Sequence, residues 1–210
     1  MRIAILGAEC TGKTTLAQAL TSRLATRTTS WALAAEYLRD WCNQHQRTPT
    51  RAEQHTIALA QIQRVEALAV RGTSVVADTA PLMTAIYSDI LFQDSSLYAA
   101  AVEHQRSYDL TLVTGTDLPW VADGLQRDGA AIRATVDRKL RLVLQAHRID
   151  HTVIYGLGEE RTQNALESVA HHQKNPLPRS AHDTDWRWSC DSCSDPECEH
   201  RLFSRLLSAR

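Results

Sequence analysis

Short apolar runs recur along the chain, separated by longer stretches in which hydrophobic positions fall at helical spacing. "MRIAIL" is the first run, and "KTTLAQALTSRLA" after it carries Leu16, Leu20 and Leu24 on one helical face, so a strand, a link and a helix are predicted. "TTSWALAAEYLRDWC" predicts a strand entering a charged turn or helix, with Glu36, Arg39 and Asp40 near the changeover. Thr50 and Glu53 form a capping box that opens a long helix through Ile57, Val65 and Leu68, and Gly72 is placed to end it. "TSVVADT" reads as a buried strand closing on Asp78, and Pro81 suits the first turn of a helix running through Tyr87 and Phe92. "YDLTLVTGTD" and "HTVIYGLG" are further strands. Strands alternating with helices predict an α/β fold, a doubly wound parallel sheet with helices on both faces and its ligand site at the carboxyl ends of the strands. Beyond about His172 the texture turns polar and proline-containing. Residues 1–172 are therefore expected to form one domain and residues 173–210 a small Cys-rich extension.

Composition narrows the classes. The 210 residues are 43% hydrophobic with a formal net charge of -1, enough for one domain with a substantial core and without the basic footprint of a nucleic-acid or anionic-membrane binder. No signal-type leader and no run of about eighteen apolar residues is present, so the expected compartment is the cytoplasm. Five cysteines, one of them in the first link, do not suit a disulfide scaffold.

That first link carries the chemistry. "GAECTGKTT" spaces Gly7 four residues from Gly12-Lys13-Thr14, the pattern of a phosphate-binding loop between a strand and a helix, and so implies a P-loop NTPase fold. Main-chain N–H groups of Gly7, Glu9, Cys10, Thr11, Gly12, Lys13, Thr14 and Thr15 would close on phosphates, Lys13 would reach the β and γ groups of ATP, and the Thr14 hydroxyl would ligate Mg²⁺. Asp78, ending a buried strand, is the acid such a site needs for magnesium, with helix capping as its plainer alternative role.

The use made of the nucleotide follows from the surroundings. A guanine-reading Asn-Lys-x-Asp element is absent where "TGTD" stands, and the core is small for a motor or remodelling ATPase. A small kinase fits, and "DLPWVADGLQRDGAAIR" reads as an arginine-bearing lid with Gly124 and Gly129 as flexing points and Arg127 and Arg133 as cations for the transferred group.

With "GAECTGKTT" and its internal Glu9, "EYLRD" from Glu36 to Asp40, Asp78-Thr79 and "PWVADG" from Pro119 to Gly124, the first 172 residues resemble the ribosylnicotinamide kinase domain of the NadR family. The resemblance implies transfer of the γ-phosphoryl group of ATP to the 5′-hydroxyl of nicotinamide riboside, giving nicotinamide mononucleotide. Gln126 stands where the family pattern has an arginine and Arg127 follows it, so Arg127 and Arg133 are both candidates for the phosphate. Glu36 is the first candidate for base and Asp78 the second. Glu9 would face magnesium-bound water or the acceptor sugar, since a carboxylate is repelled by a triphosphate. Arg39, Asp40, Trp120 and Asp123 are candidates for holding the acceptor; Trp120 is the aromatic favoured for the cationic pyridine ring. "YGLGEER" either borders adenine or starts a helix with no ligand, the second being preferred for Arg161. The His-x-Gly-His element of a nucleotidyltransferase is missing, so no dinucleotide-forming step is expected. A kinase for another nucleoside or small metabolite, and a nucleotide-sensing interaction protein, are the alternatives.

In the tail, Cys190, Cys193, Cys198 and His200 lie within eleven residues and offer ligands for a tetrahedral zinc. The single residue between Cys198 and His200 is tight, which leaves His182 or another residue as an alternative fourth ligand and unligated thiols as the alternative to any site. Trp186, Trp188, Leu202 and Phe203 could pack round the metal. The acids Asp191, Asp195, Glu197 and Glu199 disfavour nucleic acid as the partner.

Overall fold

The computed structural model describes residues 1–69, 72–119 and 129–175. The chain divides into Met1–Pro176 and Leu177–Arg210, and the described residues all belong to the first unit. Strands β1 (Arg2–Leu6), β2 (Trp31–Ala34), β3 (Ser74–Asp78), β4 (Leu110–Thr114) and β5 (Thr152–Ile154) form, among the described residues, one all-parallel sheet in the order β2-β3-β1-β4-β5. Parallel neighbours cannot be joined by hairpins, so helices return the chain between strands. They are α1 (Lys13–Leu24), α2 (Tyr37–His45), α3 (Gln54–Ala69), α4 (Pro81–Phe92), α5 (Tyr98–Gln105), α6 (Gly129–Ala146) and α7 (Gly158–Lys174).

The strands are apolar on both faces because both are covered. Ile3, Ile5, Val76, Leu112 and Ile154 pack against Leu16 and Leu20 of α1 and Ala165 and Val169 of α7. Ala4, Leu6, Val75, Ala77 and Val113 face the other way, onto Val65 of α3, Leu82 and Ile86 of α4, Val102 of α5 and Leu140 and Leu144 of α6. Leu20, Leu82, Ile86, Leu140 and Leu144 are completely buried, and each such side chain contributes about 2 kcal/mol of apolar transfer. A third, smaller cluster of Trp41, Cys42 and Ile57 holds α2 onto α3.

Local chemistry sets the ends of these elements. The capping box at Thr50 and Glu53 is formed: Glu53 Oε2 accepts from the Thr50 N–H at 2.8 Å and opens a 3₁₀ turn, Arg51–Glu53, that runs directly into α3. Gly72, at φ 69°, donates to the Ala69 carbonyl at the far end, in the left-handed conformation for which glycine has no Cβ penalty. Pro81 occupies the first turn of α4, where its missing N–H costs nothing. Two features depart from the pattern expected of the sequence. A helix, α5, stands in a stretch with no assigned element. The end of the stretch read as a lid, from Gly129 onward, is helical, the start of α6, where Ile132, Val136, Leu140 and Leu144 repeat at one helical turn and bury that face.

The connections open a crevice. After β1 the chain turns into α1 on one face of the sheet, whereas after neighbouring β3 it turns into α4 on the other. The carboxyl ends of these two strands therefore diverge, which is where open α/β sheets hold ligands.

Candidate active site

The loop from Gly7 to Gly12 lies at the mouth of that crevice. A Cβ at Gly7 (φ 149°) would stand 2.1 Å from Thr114 Oγ1, so only glycine lets β1 turn here beside β4. Gly12, at φ 77°, is the N-cap of α1 and supplies no side chain to it. The first N–H groups of α1 are thus left without a side-chain cap, as an anion site requires. The loop's oxygens are engaged by the protein instead. Thr11 donates to the Ala8 carbonyl at 2.7 Å and shares a 2.6 Å hydroxyl contact with Thr114, and Lys13 Nζ donates to the same Ala8 carbonyl at 2.7 Å. Arg161, 4% exposed, donates to the carbonyls of Thr11 and Gly156 and to Asp117. With carbonyls bound inward, the loop's electropositive edge is left for phosphate.

Two carboxylates, Asp78 and Glu36, act on Lys13, and a third, Glu9, stands in the loop itself. Asp78 ends β3 and is opposite Ile5 of β1 in register. Glu36 follows β2 and is the N-cap residue of α2, its backbone extended at ψ 114°. Glu9 is buried within the loop. Burial lowers the Lys13 pKa, while Glu36 and Asp78 act to raise it. Burial pushes the Glu36 carboxyl above its ordinary range; Lys13 opposes this and Asp78 reinforces it. Thr79, next to Asp78, is held at φ 75°, strained for a β-branched residue.

A cleft of about 200 Å³ adjoins the loop. Its polar part is lined by Gly7, Glu9, Cys10, Lys13, Glu36 and Arg39, and its remainder by Leu38, Ile57, Gln61, Met83, Thr84 and Tyr87 among others. Arg39 is paired with Glu36 at 3.4 Å. Asp40 does not line the cleft: Arg64 holds it at 2.7 Å, and the Arg64 guanidinium also lies over the Tyr37 ring. Tyr87 is the aromatic of the cleft among the described residues; Trp120, Asp123 and Arg127 lie outside those residues, as do Cys190, Cys193, Cys198 and His200. Arg133 is described, but on α6 rather than on a loop. It is 6% exposed and donates to the Leu118 carbonyl at 2.8 Å.

The donor set fits magnesium. Asp78 is 2% exposed and its Oδ1 has no hydrogen-bond partner among the described residues, and Thr14 adds a hydroxyl in the first turn of α1. Both are hard oxygens of the kind Mg²⁺ takes. Among the described residues no group of three or more His, Cys, Asp or Glu is placed to hold a metal; Mg²⁺ bound through one or two protein oxygens commonly takes substrate phosphates and waters as its other ligands. Among the same residues no helix is long and apolar enough to cross a membrane.

Sequence reasoning missed three members of this site. Arg161 was expected at a helix start, and it is at one; what pattern did not show is that its guanidinium turns inward to brace the loop. Asp117 anchors that guanidinium: burial alone would raise its carboxyl, but the Gly156 N–H and Arg161 bring it below the ordinary value. Gln61, in the middle of a long helix, gave no local signal at all.

The sequence profile of the AAA domain family matches residues 2–161. No curated protein matches the chain. Solved structures of similar fold include the NadR protein in complex with NAD and AMP-PNP, at 16% identity and TM-score 0.60 over 84% of this chain and 50% of that one. The NadR protein in complex with NR is also similar, at 16% identity and TM-score 0.59 over 87% and 54%. Thymidylate kinase from Ehrlichia chaffeensis is similar at 14% identity and TM-score 0.56 over 81% and 97%. The chain spans about half the length of the NadR structures. At these identities the likeness is one of fold.

Proposed function

Since the chain belongs to the AAA domain family and carries a phosphate loop with its lysine and threonine in place, we propose that it is an ATP-dependent kinase whose acceptor is the 5′-hydroxyl of nicotinamide riboside. The observation that carries this reading is the charge of the cleft beside the loop. Glu9 and Glu36 line it, Arg39 is engaged with Glu36, and Lys13 belongs to the phosphate loop. A nucleoside monophosphate, the acceptor expected of a thymidylate kinase, needs cations for its own phosphate and would meet carboxylates here. An uncharged or cationic nucleoside would not, and nicotinamide riboside carries a positive pyridinium ring.

In the proposed reaction the loop N–H groups and Lys13 hold the β and γ phosphates, and Thr14 and Asp78 would hold Mg²⁺, which would supply charge neutralisation when bound. Glu36 accepts the proton of the 5′-hydroxyl as its oxygen bonds to the γ phosphorus. The bond from that phosphorus to the β–γ bridging oxygen breaks, ADP leaves, and the proton passes from Glu36 to solvent. A carboxyl held above its ordinary range by burial is a stronger base than an exposed one. Arg127 and Arg133 are the candidate cations for the moving group, and Trp120, Asp123 and Arg39 the further candidates for the acceptor. Asp40, held outside the cleft, serves α2.

The test is a panel of acceptors with ATP and Mg²⁺: nicotinamide riboside, the common nucleosides, and thymidine and uridine monophosphates. Nicotinamide mononucleotide and ADP in equal amounts are expected. Phosphorylation of the monophosphates in preference to the ribosides would overturn the proposal.

A further inference from the structure

Gln61 lines the cleft from α3, one turn after Ile57, yet it is only 2% exposed. Its Oε1 accepts from the Tyr37 N–H at 2.7 Å. That bond fixes the orientation of the amide, because a main-chain N–H can only donate: the oxygen faces α2 and the NH₂ group is turned away from it. Tyr37 is the first residue of α2, where an N–H has no intrahelical partner. Gln61 therefore satisfies the start of the helix that begins beside Glu36.

The cap uses only the oxygen. Gln61 Nε2 is buried and has no hydrogen-bond partner among the described residues, and a buried amide left in that state is costly enough to call for a reason. Leu38, Ile57 and Met83 line the same cleft. A fixed, donor-only group matches a group that only accepts. A ribose hydroxyl both gives and takes, whereas a carbonyl oxygen takes only.

We infer that Gln61 is a specificity-determining residue, its Nε2–H donating to a carbonyl oxygen on the ring of the acceptor, which in nicotinamide riboside is the carboxamide oxygen. This rests on the proposed kinase reading and adds to it the group by which the ring is recognised. Acceptors without that oxygen leave the donor unpaired and are turned over less well.

The experiment compares kcat/KM for nicotinamide riboside and for the riboside of unsubstituted pyridinium, in the parent protein and in Gln61→Met. Methionine is close in volume and has no donor. The parent is expected to prefer nicotinamide riboside by about tenfold or more, and the preference is expected to fall towards unity in Gln61→Met. Taking the ratio within each protein cancels damage to the fold or to the start of α2. An unchanged ratio in the variant would overturn the inference, and so would a ratio near unity in the parent, which needs no variant to fold. Turnover of both ribosides without discrimination removes the role of Gln61 alone; turnover of neither removes the kinase reading and the inference with it.

Discussion

Replacing Glu36 by glutamine is expected to move activity and stability in opposite directions. The folded chain holds the Glu36 carboxyl above its ordinary 4.5, chiefly by burial. Between the unfolded and folded pKa values the folded chain binds more protons than the unfolded one, so stability falls as pH rises through that interval and stays reduced above it. Glutamine keeps the shape and removes the charge that must be desolvated. At about pH 8 the variant should therefore melt higher than the parent, and the difference should vanish as pH falls below the ordinary carboxylate range. Catalysis goes the other way. A positioned general base supplies about 10² to 10⁴ in rate, or ~3–5 kcal/mol of barrier. The acid limb of kcat/KM reports the free enzyme, so in the parent it should lie above 4.5, and it should disappear in the variant. The assays are a pH series of thermal unfolding and a coupled ADP assay with nicotinamide riboside. A variant that keeps near-parental kcat/KM, or that melts lower than the parent at alkaline pH, would refute the assignment.

Two further outcomes follow from the loop. Arg161→Met strips the Thr11 and Gly156 carbonyls of their donor, and at about 1–3 kcal/mol for each unsatisfied group urea unfolding should show a loss of ~2–6 kcal/mol. The KM for ATP should rise well before that for the acceptor, and an unchanged KM for ATP would show that the brace does not hold the phosphate site. Gly7→Ala drives a methyl against Thr114 Oγ1 at a backbone angle that disfavours any side chain; overpacking and torsional strain together should cost about 3 kcal/mol or more by chemical denaturation. Adding Thr114→Ala should return the steric part of that loss, and no recovery would place the strain elsewhere.

What the sequence makes legible is what short-range rules decide. Strand β1, the glycines of the loop and α1 follow from spacing alone, and the Thr50–Glu53 box and Pro81 are local signals whose partners are three residues away or fewer. Asp78 could be singled out because a charge at the end of an apolar strand is conspicuous. Arg161 is different: nothing within "GEER" tells an exposed first-turn arginine from one that reaches 150 positions back along the chain to Thr11. Gln61 is illegible for the same reason, since its burial depends on where α2 packs. Arg39 and Asp40 show the limit from the other side. They are adjacent in sequence, but helical geometry sends one to Glu36 and the cleft and the other to Arg64, which no reading of "EYLRD" as a unit could separate.

Strand register explains why the groups that are legible singly come to act together. Ala34 is opposite Ala77, and Ile5 is opposite Asp78, so β1, β2 and β3 all end within about two residues of one level, and Gly7, Glu36 and Asp78 follow there. Slipping one strand by one residue would send its whole apolar set to the wrong face, so the packing of both cores holds this alignment with far more energy than the site itself could supply. The site inherits from it a juxtaposition of opposite charges: Lys13 of the loop is set against Glu36 and Asp78, and Glu9, Lys13, Glu36 and Arg39 line one cleft. On the proposed reading the nucleotide's phosphates meet Lys13 and the loop, while the acceptor, beside Glu9 and Glu36, carries no phosphate of its own.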